Sequence, residues 1–279
     1  MTVSPPSGVA PGGFASVFNP ALFAGKHVFV TGGSSGINLR IAEAFGEHGA
    51  KVSINGRKVD KLEAAVKGLR EKKIQAEGYA ADVRDFAAVD AALGAAHAKF
   101  GNIDVLVCGA AGNFPAPVAM MSSNGFKSVM DIDVLGSFNA CRAAFERLTR
   151  PGVVIAISAP QAQVAYPMQA HVCAAKAGVD MLMKTLAMEW GSLGVRCVSI
   201  WPGPIDDTEG MQRLAGDPAV KKKVEALVPL LRFGTKDEVA QLALFLASPA
   251  AQYCTGSVYS VDGGMALVGG AMMSQAVQG

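Results

Sequence analysis

From Lys26 onward, short apolar runs alternate along the chain with longer segments in which apolar residues recur every three or four positions. The short runs predict strands over 27–31, 51–55, 75–80, 104–108, 153–158, 196–201 and 257–261. The longer segments predict helices over 37–48, 59–73, 86–100, 124–148, 172–191 and 237–246. The strand runs are apolar throughout rather than alternating, as expected when helices cover both faces of a parallel sheet. Strand–helix alternation with right-handed crossovers gives an α/β, doubly wound domain with a seven-stranded parallel sheet flanked by helices. No linker divides the pattern. Residues 1–24 read as a flexible N-terminal arm, 25–264 as one domain and 265–279 as a tail. The segment 204–232 breaks the alternation just after a strand end and is expected to cover a site there.

Composition narrows the function classes. The chain has 279 residues, 51% hydrophobic and only 17% charged, against about 25% charged in an average soluble protein. With 25 basic and 23 acidic residues the net charge is +2, and the one basic cluster, Lys221–Lys223, reads as a solvated helix face. Nucleic acid is therefore not expected as a partner. Five scattered cysteines without metal spacing read as reduced core residues, and no metal site is expected. The start lacks a signal-peptide pattern, no apolar stretch reaches membrane length, and the final residues are not a peroxisomal address. The expectation is a cytoplasmic protein that does not engage a membrane.

Ligands of open α/β sheets bind beyond the carboxyl ends of the strands. The first strand runs directly into Thr31, Gly32, Gly33, Ser34, Ser35, Gly36 and Ile37, and then into a helix. Such a turn lets backbone approach a pyrophosphate held at a helix N-terminus, so the domain reads as Rossmann-like. The second strand ends in Arg57 and Lys58 rather than an acidic residue. A cationic residue there suits the 2′-phosphate of NADP(H), with a solvated turn as the alternative.

The TGxxxG loop, Asp82–Val83 after the third strand and Pro202–Gly203 after the sixth resemble the short-chain dehydrogenase/reductase family over about residues 26–264. That family carries a Ser, a Tyr, a Lys four residues after the Tyr, and a helper Asn. Lys176 matches the Lys. Val172 then occupies the Tyr position, Ala159 the Ser position, Asp133 the Asn position, and Asn38 stands where a third loop glycine is usual. Ketone reduction needs a proton donor for the alkoxide, and Val172 is none.

The same departures resemble the NADPH-dependent 2,4-dienoyl-CoA reductases, nearest the peroxisomal type. The matching strings are 110–114, Phe126–Lys127 with 129–133, Gln169 with His171, 187–191, and 202–205 with Thr208–Gly210. The resemblance implies reduction of a 2,4-dienoyl-CoA thioester to a trans-3-enoyl-CoA in fatty acid β-oxidation, by a homotetramer. It implies cofactor contacts from Thr31, Gly32, Ser34, Ser35, Gly36, Ile37, Arg57, Asp82, Val83, Ala110, Lys176, Pro202, Gly203 and Ile205. Asn113, Phe114 and Tyr166 would face the substrate, and Asp133 and Lys176 would carry the catalysis by organising a water. The pattern supports the pair independently: Asp133 shares a helix face with Phe126, Val129, Met130 and Ser137, and Lys176 with Val172, Val179 and Met183. Charges on apolar stripes are costly unless paired. The competing readings are a reductase of another enoyl or carbonyl substrate, and a silent NADP(H)-binding scaffold.

Overall fold

A computed structural model describes residues 16–208, 211 and 217–268. Seven strands, β1 (His27–Thr31), β2 (Lys51–Gly56), β3 (Ala76–Ala80), β4 (Ile103–Cys108), β5 (Leu148–Ile157), β6 (Val195–Pro202) and β7 (Val258–Val261), form one sheet in the order β3-β2-β1-β4-β5-β6-β7. Every pairing is parallel. The seven strands of the sequence pattern are all present.

The continuous apolar character of β1 has a direct cause. Successive side chains of a strand point to opposite faces. Val28 and Val30 pack into one core with Val52, Ile54, Ile41, Phe45, Val239 and Leu244, whereas Phe29 packs into the other with Leu106, Val154, Leu93 and Met183. The first core lies under α1 (Gly36–Glu47), α2 (Val59–Glu71) and α8 (Lys236–Ala247). The second lies under α3 (Phe86–Phe100), α5 (Gly136–Ala144) and α6 (Ala170–Trp190). Caps set the entries: Asp85 accepts from the Ala88 amide at 3.2 Å, and Thr235 with Glu238 forms a reciprocal capping box.

Three sequence expectations change. The helix expected over 124–148 is α4 (Ser123–Met130), a π-helical turn over Asp131–Leu135, and α5, after which Leu148 already begins β5 beside Ile103. The arm expected over 1–24 is anchored in its described part. Phe23 is buried against Phe45, Phe18 and Leu22 pack on the same core, and Ser16 accepts from or donates to His48 at 2.9 Å. The segment 204–232 contains α7 (Pro218–Leu227), capped by Asp217. Residues 1–15, 209, 210, 212–216 and 269–279, with much of the expected arm and tail, lie outside the described residues.

One buried histidine makes acid stability measurable. His27 is fully buried between the Ser53 hydroxyl and the Gly101 carbonyl, and burial pushes its pKa below 6.5. The unfolded chain then binds more protons below that value, so folding free energy falls as pH drops through 6.5 toward the folded-state pKa. The melting temperature is expected to be lower at pH 5.5 than at 7.5, and His27→Gln should reduce the difference.

Candidate active site

The carboxyl ends of β1, β2, β4, β5 and β6 surround a cleft of about 530 Å³. It lies where the strand order reverses between β1 and β4. Its floor is the glycine turn. Gly32 has φ +65°, and a Cβ there would lie 2.8 Å from the Ala110 Cα, so only glycine lets β1 turn so close to the end of β4. The turn is pinned by Asn55, whose Oδ1 accepts from the Gly32 amide at 3.1 Å while its Nδ2 donates to the Ala81 carbonyl. Helix α1 starts at Gly36 and no side chain caps its first-turn amides, which suits an anionic ligand.

Of the cofactor residues expected from sequence, Gly32, Ser34, Ser35, Gly36, Ile37, Arg57, Asp82, Val83, Ala110, Lys176, Pro202, Gly203 and Ile205 all line this cleft. Thr31 does not. It is buried behind the turn, where its Oγ1 accepts from the Gly109 and Ala110 amides at 3.0 and 3.3 Å. Its hydroxyl therefore fixes the β4 end rather than facing the ligand space. Asn38 acts alongside it: its Nδ2 donates to the carbonyls of Gly109 at 2.7 Å and Gly32 at 3.3 Å. The side chain occupies the space beside Gly109, where a Cβ would fall 2.3 Å from the Asn38 Oδ1. The amide thus adds cross-links between the β1 and β4 ends.

At the β2 end, the Arg57 side chain is 55% exposed and its NH1 is 3.9 Å from the Asp82 Oδ2. Asp82 is engaged mainly by Arg84, at 2.6 and 3.0 Å, and this pairing holds its carboxyl below the usual range. Arg57 therefore keeps its donors for a ligand. Lys58 and Lys61 line the same end. Lys61 was missed from sequence, although its position one turn after Lys58 on α2 was a readable signal.

The catalytic pair expected from sequence is brought together in the interior. Asp133 sits within the π turn, 1% exposed, and Lys176 lies across on α6, 7% exposed. Lys176 Nζ is 3.0 Å from Asp133 Oδ2 and donates to the Ile157 carbonyl at 3.1 Å. The Gly112 amide donates to Asp133 Oδ1 at 2.7 Å. Oδ2 makes the ion pair but receives no aligned hydrogen bond. A π turn inside an α-helix commonly marks a functional site. Gly136, which follows this turn, packs tightly, and a Cβ there would lie 2.6 Å from Val83 Cγ2. Gly136→Ala is expected to cost about 1–3 kcal/mol through overpacking, read as a lower urea midpoint.

Around the pair, Val172 is buried with Val129 and Ala175, and supplies no hydroxyl. Ala159 and Ser158 line the cleft, as do Gln161, Asn113 and Thr208. The Ser158 hydroxyl points to the Lys176 carbonyl at 3.4 Å. Gln161 was missed from sequence, since only the turn Pro160–Ala162 brings it to the cleft; its amide donates to Gln169 at 3.1 Å. Phe114 is not in the cleft lining but packs on His171, with ring centroids 4.4 Å apart and planes tilted by 49°. Tyr166 is half-buried outside that lining, and burial raises its phenol pKa. Trp201 is core, its Nε1 donating to Asp180 at 2.7 Å.

Comparison with known proteins agrees with this geometry. The family described as enoyl-(acyl carrier protein) reductase matches residues 32–266. A (3E)-enoyl-CoA-producing peroxisomal 2,4-dienoyl-CoA reductase of Saccharomyces cerevisiae is 44% identical, the match covering 89% of this chain and 86% of the yeast protein. Its counterpart in Rattus norvegicus is 43% identical over the same shares. Among solved structures, a short chain dehydrogenase from Bacillus anthracis has TM-score 0.78 and 37% identity, covering 86% of this chain and 96% of that one. The protein belongs to the short-chain dehydrogenase/reductase family. As a short-chain reductase it uses a nicotinamide cofactor, and the glycine turn, the uncapped α1 amides and the cationic β2 end fit that group. One expectation is corrected. The relatives from yeast, rat and Arabidopsis thaliana, at 40–44% identity, are peroxisomal enzymes, which overturns a cytoplasmic assignment.

Proposed function

We propose that this protein reduces 2,4-dienoyl-CoA thioesters to trans-3-enoyl-CoA with NADPH, as part of unsaturated fatty acid β-oxidation in the peroxisome. The observation that carries the reading is the buried Asp133–Lys176 pair at 3.0 Å, with Lys176 in the cleft wall and Val172 and Ala159 standing at the family's Tyr and Ser positions. The 2,4-dienoyl-CoA reductases named above supply the substrate class by similarity.

The bound cofactor supplies the hydride. The turn residues Gly32, Ser34, Ser35, Gly36 and Ile37 hold its pyrophosphate, and Pro202, Gly203 and Ile205 border its far side. Arg57, with Lys58 and Lys61, engages the 2′-phosphate. Lys176 orients the ribose and contributes positive charge. As the δ-carbon of the dienoyl chain gains hydride, negative charge moves to the thioester oxygen, and donors placed there lower the barrier. Asn113 is the cleft amide assigned to that oxygen, and Phe114 and Tyr166 border the acyl chain. Asp133 then governs delivery of a proton to the α-carbon through the water it shares with Lys176. Its buried position keeps that proton from leaking to solvent.

The exposed apolar side chains Leu135 and Phe138 on the π turn and α5, with Met181 and Met188 on α6, support assembly into a homotetramer. Among the described residues no helix is long and apolar enough to cross a membrane. The activity is tested by NADPH oxidation with 2,4-hexadienoyl-CoA, crotonyl-CoA and acetoacetyl-CoA in parallel. Turnover of the first alone is the expected result; equal turnover of crotonyl-CoA, or none of any, would overturn the reading.

A further inference from the structure

Gly109, just past the end of β4, lacks a side chain for a reason of space alone. Its backbone does not take the left-handed conformation of Gly32, so dihedral strain does not exclude an L side chain there. What excludes one is Asn38 on α1. A Cβ on Gly109 would lie 2.3, 2.4 and 2.6 Å from the Oδ1, Cγ and Nδ2 of that carboxamide. The space between the β4 end and the start of α1 therefore holds one side chain, and α1 supplies it.

The carboxamide uses both N–H bonds of Nδ2, on the Gly109 carbonyl at 2.7 Å and the Gly32 carbonyl at 3.3 Å. Its Oδ1 is buried and accepts no hydrogen bond. An unpaired buried acceptor is costly, so the two carbonyl bonds are what favours Asn at this position. The amides of the same two glycines are also held: Asn55 Oδ1 accepts from Gly32 at 3.1 Å, and Thr31 Oγ1 from Gly109 at 3.0 Å. Three side chains thus engage all four backbone polar groups where the β1 turn meets the β4 end. Gly32, Gly109 and Ala110 line the cleft, and three residues past Gly109 the Gly112 amide is held by Asp133. A glycine at position 38 would remove the donor from both carbonyls.

We propose that Asn38 is a positioning residue for the cofactor. By holding the Gly32 and Gly109 carbonyls it presets the spacing of the β1 turn and the β4 end, between which the dinucleotide lies, and it can do so only because residue 109 is glycine. The inference rests on the NADP(H) reading of the cleft and not on the identity of the substrate. Backbone that is already fixed leaves less to order on binding, which raises affinity. Both strand ends serve the part of the dinucleotide that NADPH and NADH share, so the effect is equal for the two. Arg57, in contrast, acts on the 2′-phosphate alone.

The test is a double-mutant cycle over wild type, Asn38→Gly, Gly109→Ala and the double variant. NADPH and NADH are titrated by fluorescence, and melting temperatures are recorded without cofactor. Asn38→Gly should raise Kd for both cofactors about 5- to 20-fold, the range of one or two neutral hydrogen bonds, and leave their ratio unchanged. Gly109→Ala in the wild-type background should weaken binding by a similar or larger factor, because its methyl displaces the carboxamide. In the Asn38→Gly background the same substitution should cost less than about twofold, since the space is then open. A merely structural Asn38 would lower the melting temperature and leave both Kd values at the wild-type level, and that result would overturn the positioning role. A loss confined to NADPH would overturn it too. Equal cost of Gly109→Ala in the two backgrounds would overturn the coupling. If Gly109→Ala alone does not fold, the double variant should still fold and bind as Asn38→Gly does, and its failure to fold would count against the inference. Wild type that binds neither NADPH nor NADH would instead overturn the cofactor reading, so the two failures are distinguishable.

Discussion

Asp133→Asn is expected to lower kcat on 2,4-hexadienoyl-CoA by about 10²–10⁴-fold, the range of positioned acid–base catalysis, while NADPH still binds. The substitution keeps the shape and the acceptor for the Gly112 amide, now at 2.7 Å. It removes the charge opposite Lys176 and the carboxylate that governs the water. Breaking a buried ion pair costs about 3–5 kcal/mol when one partner is deleted outright. Asn should cost less, because Lys176 keeps the Ile157 carbonyl at 3.1 Å and the amide oxygen remains polar. Retained cofactor binding with lost turnover separates a chemical role from a structural one. Full activity of the Asn variant would remove Asp133 from the mechanism.

The second large effect is on cofactor choice. Arg57→Asp is expected to weaken NADPH binding about 10- to 100-fold, the equivalent of losing one hydrogen bond to a charged group at about 1.5–3 kcal/mol, and to leave NADH binding unchanged or improved. The reason is geometric: Asp82 is occupied by Arg84, so Arg57 has only a 3.9 Å contact with it and meets the ligand with its donors available. An acidic residue at this position would instead accept from ribose hydroxyls. Fluorescence titration with both cofactors reads the ratio. An unaltered NADPH-to-NADH ratio would exclude Arg57 from the 2′-phosphate.

The sheet was legible because parallel strands covered on both faces are apolar at every position, as in Val28, Phe29 and Val30. The buried pair was legible for the converse reason: Asp133 and Lys176 interrupt stripes that are mostly apolar. What the pattern hid depends on tertiary contacts. The π turn at Asp131–Leu135 shifts the helical phase without any residue type that marks it, and the close approach of Val83 to Gly136 beside it joins positions distant in the chain. Asn38 looked like a departure from a glycine pattern, yet it bonds the Gly32 and Gly109 carbonyls, which no local reading could supply. Phe18 and Phe23 lay in an uncharged, Pro/Gly-rich stretch whose composition masked their anchoring on Phe45 and the surrounding core. Thr31 belonged to the right motif but stands behind the cleft, because a β1 side chain at that register points toward β4.

The central claim is that hydride reaches the δ-carbon and a proton the α-carbon of a dienoyl thioester. The most direct test is turnover of 2,4-hexadienoyl-CoA with 4-deuterated NADPH, in water and with unlabelled NADPH in deuterium oxide, followed by NMR of the product. The account predicts a 3-enoyl-CoA with cofactor-derived deuterium on the δ-carbon and solvent-derived deuterium on the α-carbon. Cofactor-derived deuterium on the β-carbon, or a product that keeps the double bond conjugated with the thioester, would contradict it.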